Sequence, residues 1–310
     1  AVGPTISATS LCSFGEIMLV ATLIAADHLE KGEVRLAHDC LTDAGCHVSE
    51  IGPIVDGKAA DILFDGDVIT AREAMTSFAD NMDIAVQPVA NRRKKLLISD
   101  MDSTMITVEC IDELASYAGI KDRIAAITER AMQGELDVEE ALRGRVALLA
   151  GLDVAAIDTC LDEKVKIMPG AQILVQTMAR FGAKPILVSG GFTRFAEPVA
   201  KAIGFERFDA NILEEADGRL TGQLAGPIVD SGRKAKILTM AAQSAGLSLN
   251  DCLAVGDGAN DIPMIETSGM GVAYHAKPKA ALAADVAINS NDLTALLHMQ
   301  GISSDQWVSD

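Results

Sequence analysis

Two carboxylates two residues apart, directly after an apolar run, are the first feature here that could do chemistry: Leu96-Leu-Ile-Ser-Asp100-Met-Asp102-Ser-Thr104. If the run is a buried strand, this spacing puts both acids on one side of the chain at its carboxyl end, where ligands of open α/β sheets bind. Crowded acids repel. A divalent cation relieves them, and Mg²⁺ takes one or two carboxylates together with phosphate oxygens. The plain structural alternative for such a pair is an Asx turn or a helix cap. A second segment, Ile186-Leu-Val-Ser189-Gly190-Gly191, ends an apolar run in a hydroxyl and two glycines, a turn that aims backbone N–H groups at an anion. A third, Cys252-Leu-Ala-Val-Gly256-Asp257-Gly-Ala-Asn260-Asp261-Ile-Pro263, again runs from an apolar stretch into acids. Asp257 would complete a metal site, and Asn260 or Asp261 can cap a helix that admits Pro263 in its first turn. Between them lies Ser231-Gly-Arg-Lys234-Ala-Lys236, where one lysine could neutralise phosphate charge, although a solvated helix face is the default for both.

The elements needed to position these groups are short apolar strands alternating with helices, the signature of a parallel α/β sheet. Strands are predicted at 96–99, 185–188, 210–213, 252–255, 271–274 and 285–288. The alternation breaks from Glu109 to about residue 165, which is helical throughout, with Leu142, Val146 and Leu149 at i, i+4 and i+7. That stretch is predicted to be an inserted helical cap. Asp217-Gly218 between two strand-like runs predicts a hairpin within 210–224. Residues 1–90 predict a separate small α+β unit, with strands at 18–24, 51–55 and 60–64 and helices near 33–44 and 70–81. The tetrad Arg92-Arg-Lys-Lys95 reads as a solvated linker, and the domain boundary is placed there, with residues 91–310 as the second domain.

In this order, the segments resemble the haloacid dehalogenase-like phosphohydrolases and, within them, the phosphoserine phosphatase family. The resemblance covers about residues 94 to 299. It rests on Asp100-Met-Asp-Ser-Thr, Glu109, Ala131-Met132-Gln-Gly-Glu-Leu, Leu142-Arg-Gly-Arg145-Val, Ser189-Gly-Gly-Phe, Leu220-Thr-Gly, Lys234 and Val255-Gly-Asp-Gly-Ala-Asn-Asp-Ile. It implies a Rossmann-like sheet with a helical cap and Mg²⁺-dependent hydrolysis of O-phospho-L-serine, the last step of serine biosynthesis. Asp100 would be the nucleophile that forms an aspartyl-phosphate, and Asp102 the acid and then the base. Mg²⁺ would be held by Asp100, the Asp102 backbone carbonyl and Asp257, with Asp261 in support. Ser189, Gly190 and Lys234 would hold the phosphoryl oxygens, with Asn260 near the phosphate. Glu109 would meet the substrate ammonium, Arg145 its carboxylate, and Met132 would line the pocket. Val138 stands where the family has an aromatic residue and Ala141 where it has a serine, which implies a roomier pocket. The amino-terminal order is similar to that of ACT-like ligand-binding domains, which implies a regulatory or dimerising role and a homodimer. A phosphatase for another small metabolite, or a non-catalytic ligand-binding regulator, is the competing reading.

Composition narrows the classes further. A chain of 310 residues, 49% hydrophobic and 23% charged, folds without metal or disulfide staples and is no disordered protein. A net charge of −18 would repel a nucleic-acid backbone, so a small-molecule substrate is expected and a nucleic-acid partner is not. Six cysteines without a C-x-x-C pair fit a reducing cytoplasm. The apolar run Ile17 to Ala26 is too short to span a bilayer and no Lys or Arg precedes it, so it is read as a first strand behind a poorly ordered leader, with no membrane partner.

Overall fold

The computed structural model describes residues 18–76, 82–132 and 137–309, so the leader ahead of residue 18 lies outside it. Two sheets organise these residues. The first is built from β1 (Leu19–Ala25), α1 (Lys31–Asp43), β2 (His47–Ile51), β3 (Ala59–Asp65), α2 (Val68–Met75) and β4 (Met82–Pro88), in strand order β2-β3-β1-β4 with antiparallel pairing. This is the βαββαβ plan of ferredoxin-like units. Apolar side chains on one face, among them Leu23, Ile62 and Phe64, pack against Val34, Ala37 and Leu41 of α1.

Two expectations need correction in this sheet. The strand expected at 51–55 lies instead at 47–51, because β2 is an exposed edge strand with no buried side chain to mark its period. No strand was expected at 82–88, yet β4 pairs with β1 along its whole length. Its Asp83 and Gln87 are buried, and polar residues at buried positions hide a strand from an apolar pattern. The helix expected near 70–81 starts earlier, at Val68, where Asp67 accepts from the Thr70 amide as a cap, while residues 77–81 lie outside the description.

The second sheet follows the predicted alternation. Its strands are β5 (Leu96–Ser99), β6 (Lys184–Phe192), β7 (Arg207–Ala216), β8 (Arg219–Ala225), β9 (Cys252–Gly256), β10 (Met270–Tyr274) and β11 (Val286–Ile288), in the order β11-β10-β9-β5-β6-β7-β8. All pairs are parallel except β7 with β8. Chain connections run outward in opposite directions from β5, so a crevice opens beyond the carboxyl ends of β5, β6 and β9. Helices α7 (Ala171–Arg180), α8 (Thr193–Ile203), α9 (Ser231–Ser244), α10 (Ile262–Thr267), α11 (Pro278–Ala283) and α12 (Ala295–Met299) accompany these strands.

The insertion after β5 is helical as expected: α3 (Cys110–Tyr117), α4 (Lys121–Met132), α5 (Val138–Ala147) and α6 (Ala155–Lys164). The hairpin turns at Asp217 (φ 51°) and Gly218 (φ 75°), both in the left-handed region that a tight two-residue turn requires. It braces the cap, since the Gly151 amide donates to Leu220 O, and the Leu220 amide donates to Leu152 O. Gly222 permits the approach, because a Cβ there would lie 2.8 Å from the Ala150 Cβ.

The basic tetrad is only half solvated: Arg93 and Lys95 are exposed, whereas Arg92 and Lys94 are not. Arg92 places its guanidinium between the sheets, donating to both Asp61 oxygens at 2.7 Å, to Thr22 Oγ1, and to the carbonyls of His298 and Met299. Lys94 is buried and donates to Asn250 O at 2.8 Å. Asp83 of β4 accepts from the Asn289 and Ser290 amides and from Asn291 Nδ2, while Gln87 donates to Met299 O. Ile24, Ala59 and Ala85 of the first sheet belong to the same apolar core as the second. Among the described residues, no helix is long and apolar enough to cross a membrane.

Candidate active site

Strand β5 delivers Asp100 and Asp102 to the crevice, because the chain leaves the sheet immediately after Ser99 and turns through Ser103, a non-glycine residue at φ 55°. The turn is tied back by the Cys110 amide, which donates to Asp102 Oδ1 at 2.9 Å. Strand β6 brings Ser189, whose hydroxyl lies 3.3 Å from Asp102 Oδ2 and accepts from the Gly191 amide at 2.8 Å. Only glycine fits at 191, since a Cβ would lie 2.7 Å from Asp102 Oδ2. Strand β9 brings Asp257, and the turn after it brings Asn260 and Asp261.

The centre of the site is a buried ion cluster. Lys234 Nζ lies 2.7 Å from Asp100 Oδ1 and 2.7 Å from Asp261 Oδ1, and all three side chains are at most 6% exposed. Lys234 is thus the lysine that faces the site; Lys236 is two residues away on α9 and is not at the cavity. Asp261 also accepts from the Asp257 and Gly258 amides through Oδ2, at 3.2 and 3.0 Å. One oxygen each of Asp100, Asp257 and Asp261 lies within 4.8 Å of the others. Lys234 and the two amides engage Asp261, which leaves the carboxylates of Asp100 and Asp257 to face a cation. An all-oxygen donor set of this kind suits a hard divalent ion.

Electrostatics follow from the crowding. Burial, and then the charge of Asp261, hold the Asp100 carboxyl well above the usual range, against the opposing pull of Lys234. Burial and the Glu109 charge push Asp102 to about 6, and burial with the Asp261 charge pushes Asp257 to about 6. Lys234 is raised by its two carboxylates even though its burial acts the other way.

These groups share a cavity of about 260 Å³. Asp100, Asp102, Gly190, Lys234, Asp257 and Asn260 line it, and so do Glu109 and Arg145 of the cap. Ser103 Oγ donates to Glu109 Oε1 at 2.7 Å. Arg145 is half-buried, which pulls its pKa below the ordinary guanidinium range, and its Nε donates to Ala141 O. Among the described residues no carboxylate lies within ion-pairing distance of its guanidinium. Ser189 and Asp261 stand just behind the lining. Met132 ends α4, and its side chain, like that of Val138, lies outside the description, as do residues 133–136. Sequence reasoning missed Lys277, Phe192 and the loop 228–231, all at the cavity wall. Lys277 carried a weak signal as the residue before a helix-starting proline, and its amide donates to Asp257 O at 2.9 Å.

Comparisons with known proteins show the family. The haloacid dehalogenase-like hydrolase family matches residues 94–269, which include every acid of the cluster. The chain belongs to that family. It is 38% identical over 273 residues to a phosphoserine phosphatase of Streptomyces coelicolor, covering 86% of this chain and 66% of that protein. The chain therefore spans just under two thirds of that relative's length. It is 46% identical over 210 residues to a phosphoserine phosphatase of Polaromonas, covering 66% of this chain and 89% of the relative. The crystal structure of a probable phosphoserine phosphatase from Vibrio cholerae superposes with a TM-score of 0.73 at 32% identity, over 92% of this chain and 86% of that one. Both sheets of this hydrolase-family chain are thus represented in a single solved relative.

Proposed function

We propose that the protein is an Mg²⁺-dependent phosphatase that converts O-phospho-L-serine to L-serine and phosphate through an aspartyl-phosphate. The observation that carries this reading is one cavity lined both by Asp100, Asp102 and Lys234 and by a cap arginine with an acid, Arg145 and Glu109. Names of relatives that act on phosphoserine support it. Asp100, the Asp102 carbonyl and Asp257 would hold Mg²⁺, which when bound offsets charge on the phosphoryl oxygens. Asp261 keeps Lys234 and the Asp257 backbone in place.

Asp100 Oδ2 attacks phosphorus while the phosphorus–oxygen bond to serine breaks, and Asp102 gives its proton to the departing serine oxygen. Asp102 then takes a proton from water, which attacks phosphorus and frees Asp100. Lys234, Ser189 and the Gly190 amide hold the phosphoryl oxygens, and Asn260 borders them. Phosphoryl transfer depends mainly on positioning and charge, and these groups supply both. In the cap, Arg145 takes the substrate carboxylate and Glu109 its ammonium. The first sheet, ending near residue 90, is assigned as an ACT-like regulatory or dimerising unit of a cytoplasmic enzyme, a reading its βαββαβ order supports.

A phosphate-release panel tests the substrate. Phosphoethanolamine lacks the carboxylate and 3-phosphoglycerate lacks the ammonium, so each forgoes one charge-assisted contact. A loss of roughly 10- to 100-fold in kcat/KM is expected for each against phosphoserine. Arg145→Ala should cost phosphoserine a similar factor and leave phosphoethanolamine nearly unchanged. Equal turnover of all three by the unaltered protein would reject the phosphoserine assignment.

The acid role has its own test. Because Glu109's charge helps hold the Asp102 proton, Glu109→Gln lowers the pH at which Asp102 ionises, from about 6 toward the ordinary carboxylate range. The variant therefore keeps Asp102 protonated over a narrower acidic window. Carbon NMR titration of labelled aspartate in metal-free protein reads that midpoint, and an unmoved midpoint would remove Glu109 from the account.

A further inference from the structure

Strand β6 parts from β7 where the phosphate-facing turn begins. Val188 pairs with Asp209 and Phe192 pairs with Asn211, so three residues of β6, Ser189 to Gly191, stand against the single Ala210. The bulged segment loses its ladder partners, and a buried carbonyl without a partner is costly. Asn211 supplies the missing donor: its side chain is 1% exposed, and Nδ2 donates to Gly190 O at 2.8 Å. The other end of the same amide, Oδ1, accepts from the Val229 amide at 2.8 Å. Val229 belongs to the irregular loop that leads into α9, where Asp230 caps the helix and Lys234 sits one turn further on.

We infer that Asn211 is a positioning residue for phosphoryl transfer, locking the Gly190 turn to the loop that carries Lys234 so that both face one phosphoryl group. The inference rests on the phosphatase reading above and extends it to a residue outside the cavity lining. With both amide ends used, the side chain has one orientation. Its donor sets the plane of the peptide between Gly190 and Gly191, and its acceptor sets the approach of the Val229 loop. Neither contact touches a reacting atom, so the effect is on the alignment of groups that do.

The test compares Asn211→Ala and the isosteric Asn211→Asp with the unaltered full chain. Asn211→Asp keeps an acceptor for Val229 but turns a carboxylate oxygen toward Gly190 O. Phosphate release from phosphoserine and inhibition by orthovanadate, which mimics the five-coordinate phosphorus, are measured in Mg²⁺. A misaligned turn is expected to lower kcat by about 10- to 100-fold and to weaken vanadate by a similar factor, with a smaller change in KM. The vanadate constant refers only to molecules that are folded and active, so partial misfolding cannot produce the shift. If both variants keep the wild-type vanadate constant, with kcat reduced only by the folded fraction, the inference is overturned. If the unaltered protein neither releases phosphate nor binds vanadate, the phosphatase reading itself falls.

Discussion

Asp100→Asn is expected to remove turnover by at least about 10⁴-fold and to leave no phosphate covalently bound after an acid quench. The replacement changes one atom. It keeps the volume and the acceptor that faces Lys234 Nζ at 2.7 Å, but the amide nitrogen has no lone pair to offer phosphorus. Stability should move the other way. The carboxyl at 100 is held above its normal range by burial and by Asp261, so its charge is a net cost to the folded state at neutral pH. A neutral amide relieves that cost, and the melting temperature without metal should equal or exceed the wild-type value. The two measurements together separate a lost nucleophile from a lost fold. Turnover at the wild-type level, with reversion of the amide excluded by mass spectrometry, would end the nucleophile assignment.

Lys234→Met should lose both activity and stability. Its ammonium is the one cation within bonding distance of Asp100 and Asp261 among the described residues, and removing one partner from a buried ion cluster costs about 3 to 5 kcal/mol. Activity should fall by at least about 10³-fold, because the transferring phosphoryl group loses its positive contact as well. The stability loss has a pH signature. Once Asp100, whose carboxyl is held above the usual range by burial and by Asp261, is protonated it no longer needs a cation, so the difference between variant and wild type should shrink as pH falls. Adding Asp100→Asn to Lys234→Met should recover part of the stability and none of the turnover. Chemical denaturation at neutral and acidic pH reads the first effect, and a stability gap independent of pH would reject the ion-cluster account.

Sequence made the second sheet readable for a physical reason. A strand buried on both faces is a continuous apolar run, and here the apolar runs of β5, β6 and β9 each give way to residues that carry charge, hydroxyl or glycine, so the end of the run marks the site. The Asp217-Gly218 turn was legible because its backbone needs two residues at positive φ. What escaped is set by partners distant in the chain. Asp83 and Gln87 look like loop residues until Asn289 and Met299 arrive, and Arg92 looks like a solvated charge until Asp61 meets it. The site's own omissions have the same origin, since nothing near Asn211 in sequence says that it braces the Gly190 turn, and the proline after Lys277 signals a helix start and not a cavity wall.

The seam around Arg92 has a thermodynamic meaning for the whole molecule. Opening the first sheet alone would strand the guanidinium, Asp83 and Gln87 without partners and expose Ile24 and Ala85. Because such partial openings are costly, amide protons in β1 and β4 are expected to exchange through much the same event as those in β5 and β9. On that expectation the two sheets open as a single foldon, and any small molecule that bound the first would add its binding free energy to the survival of the acidic cleft in the second.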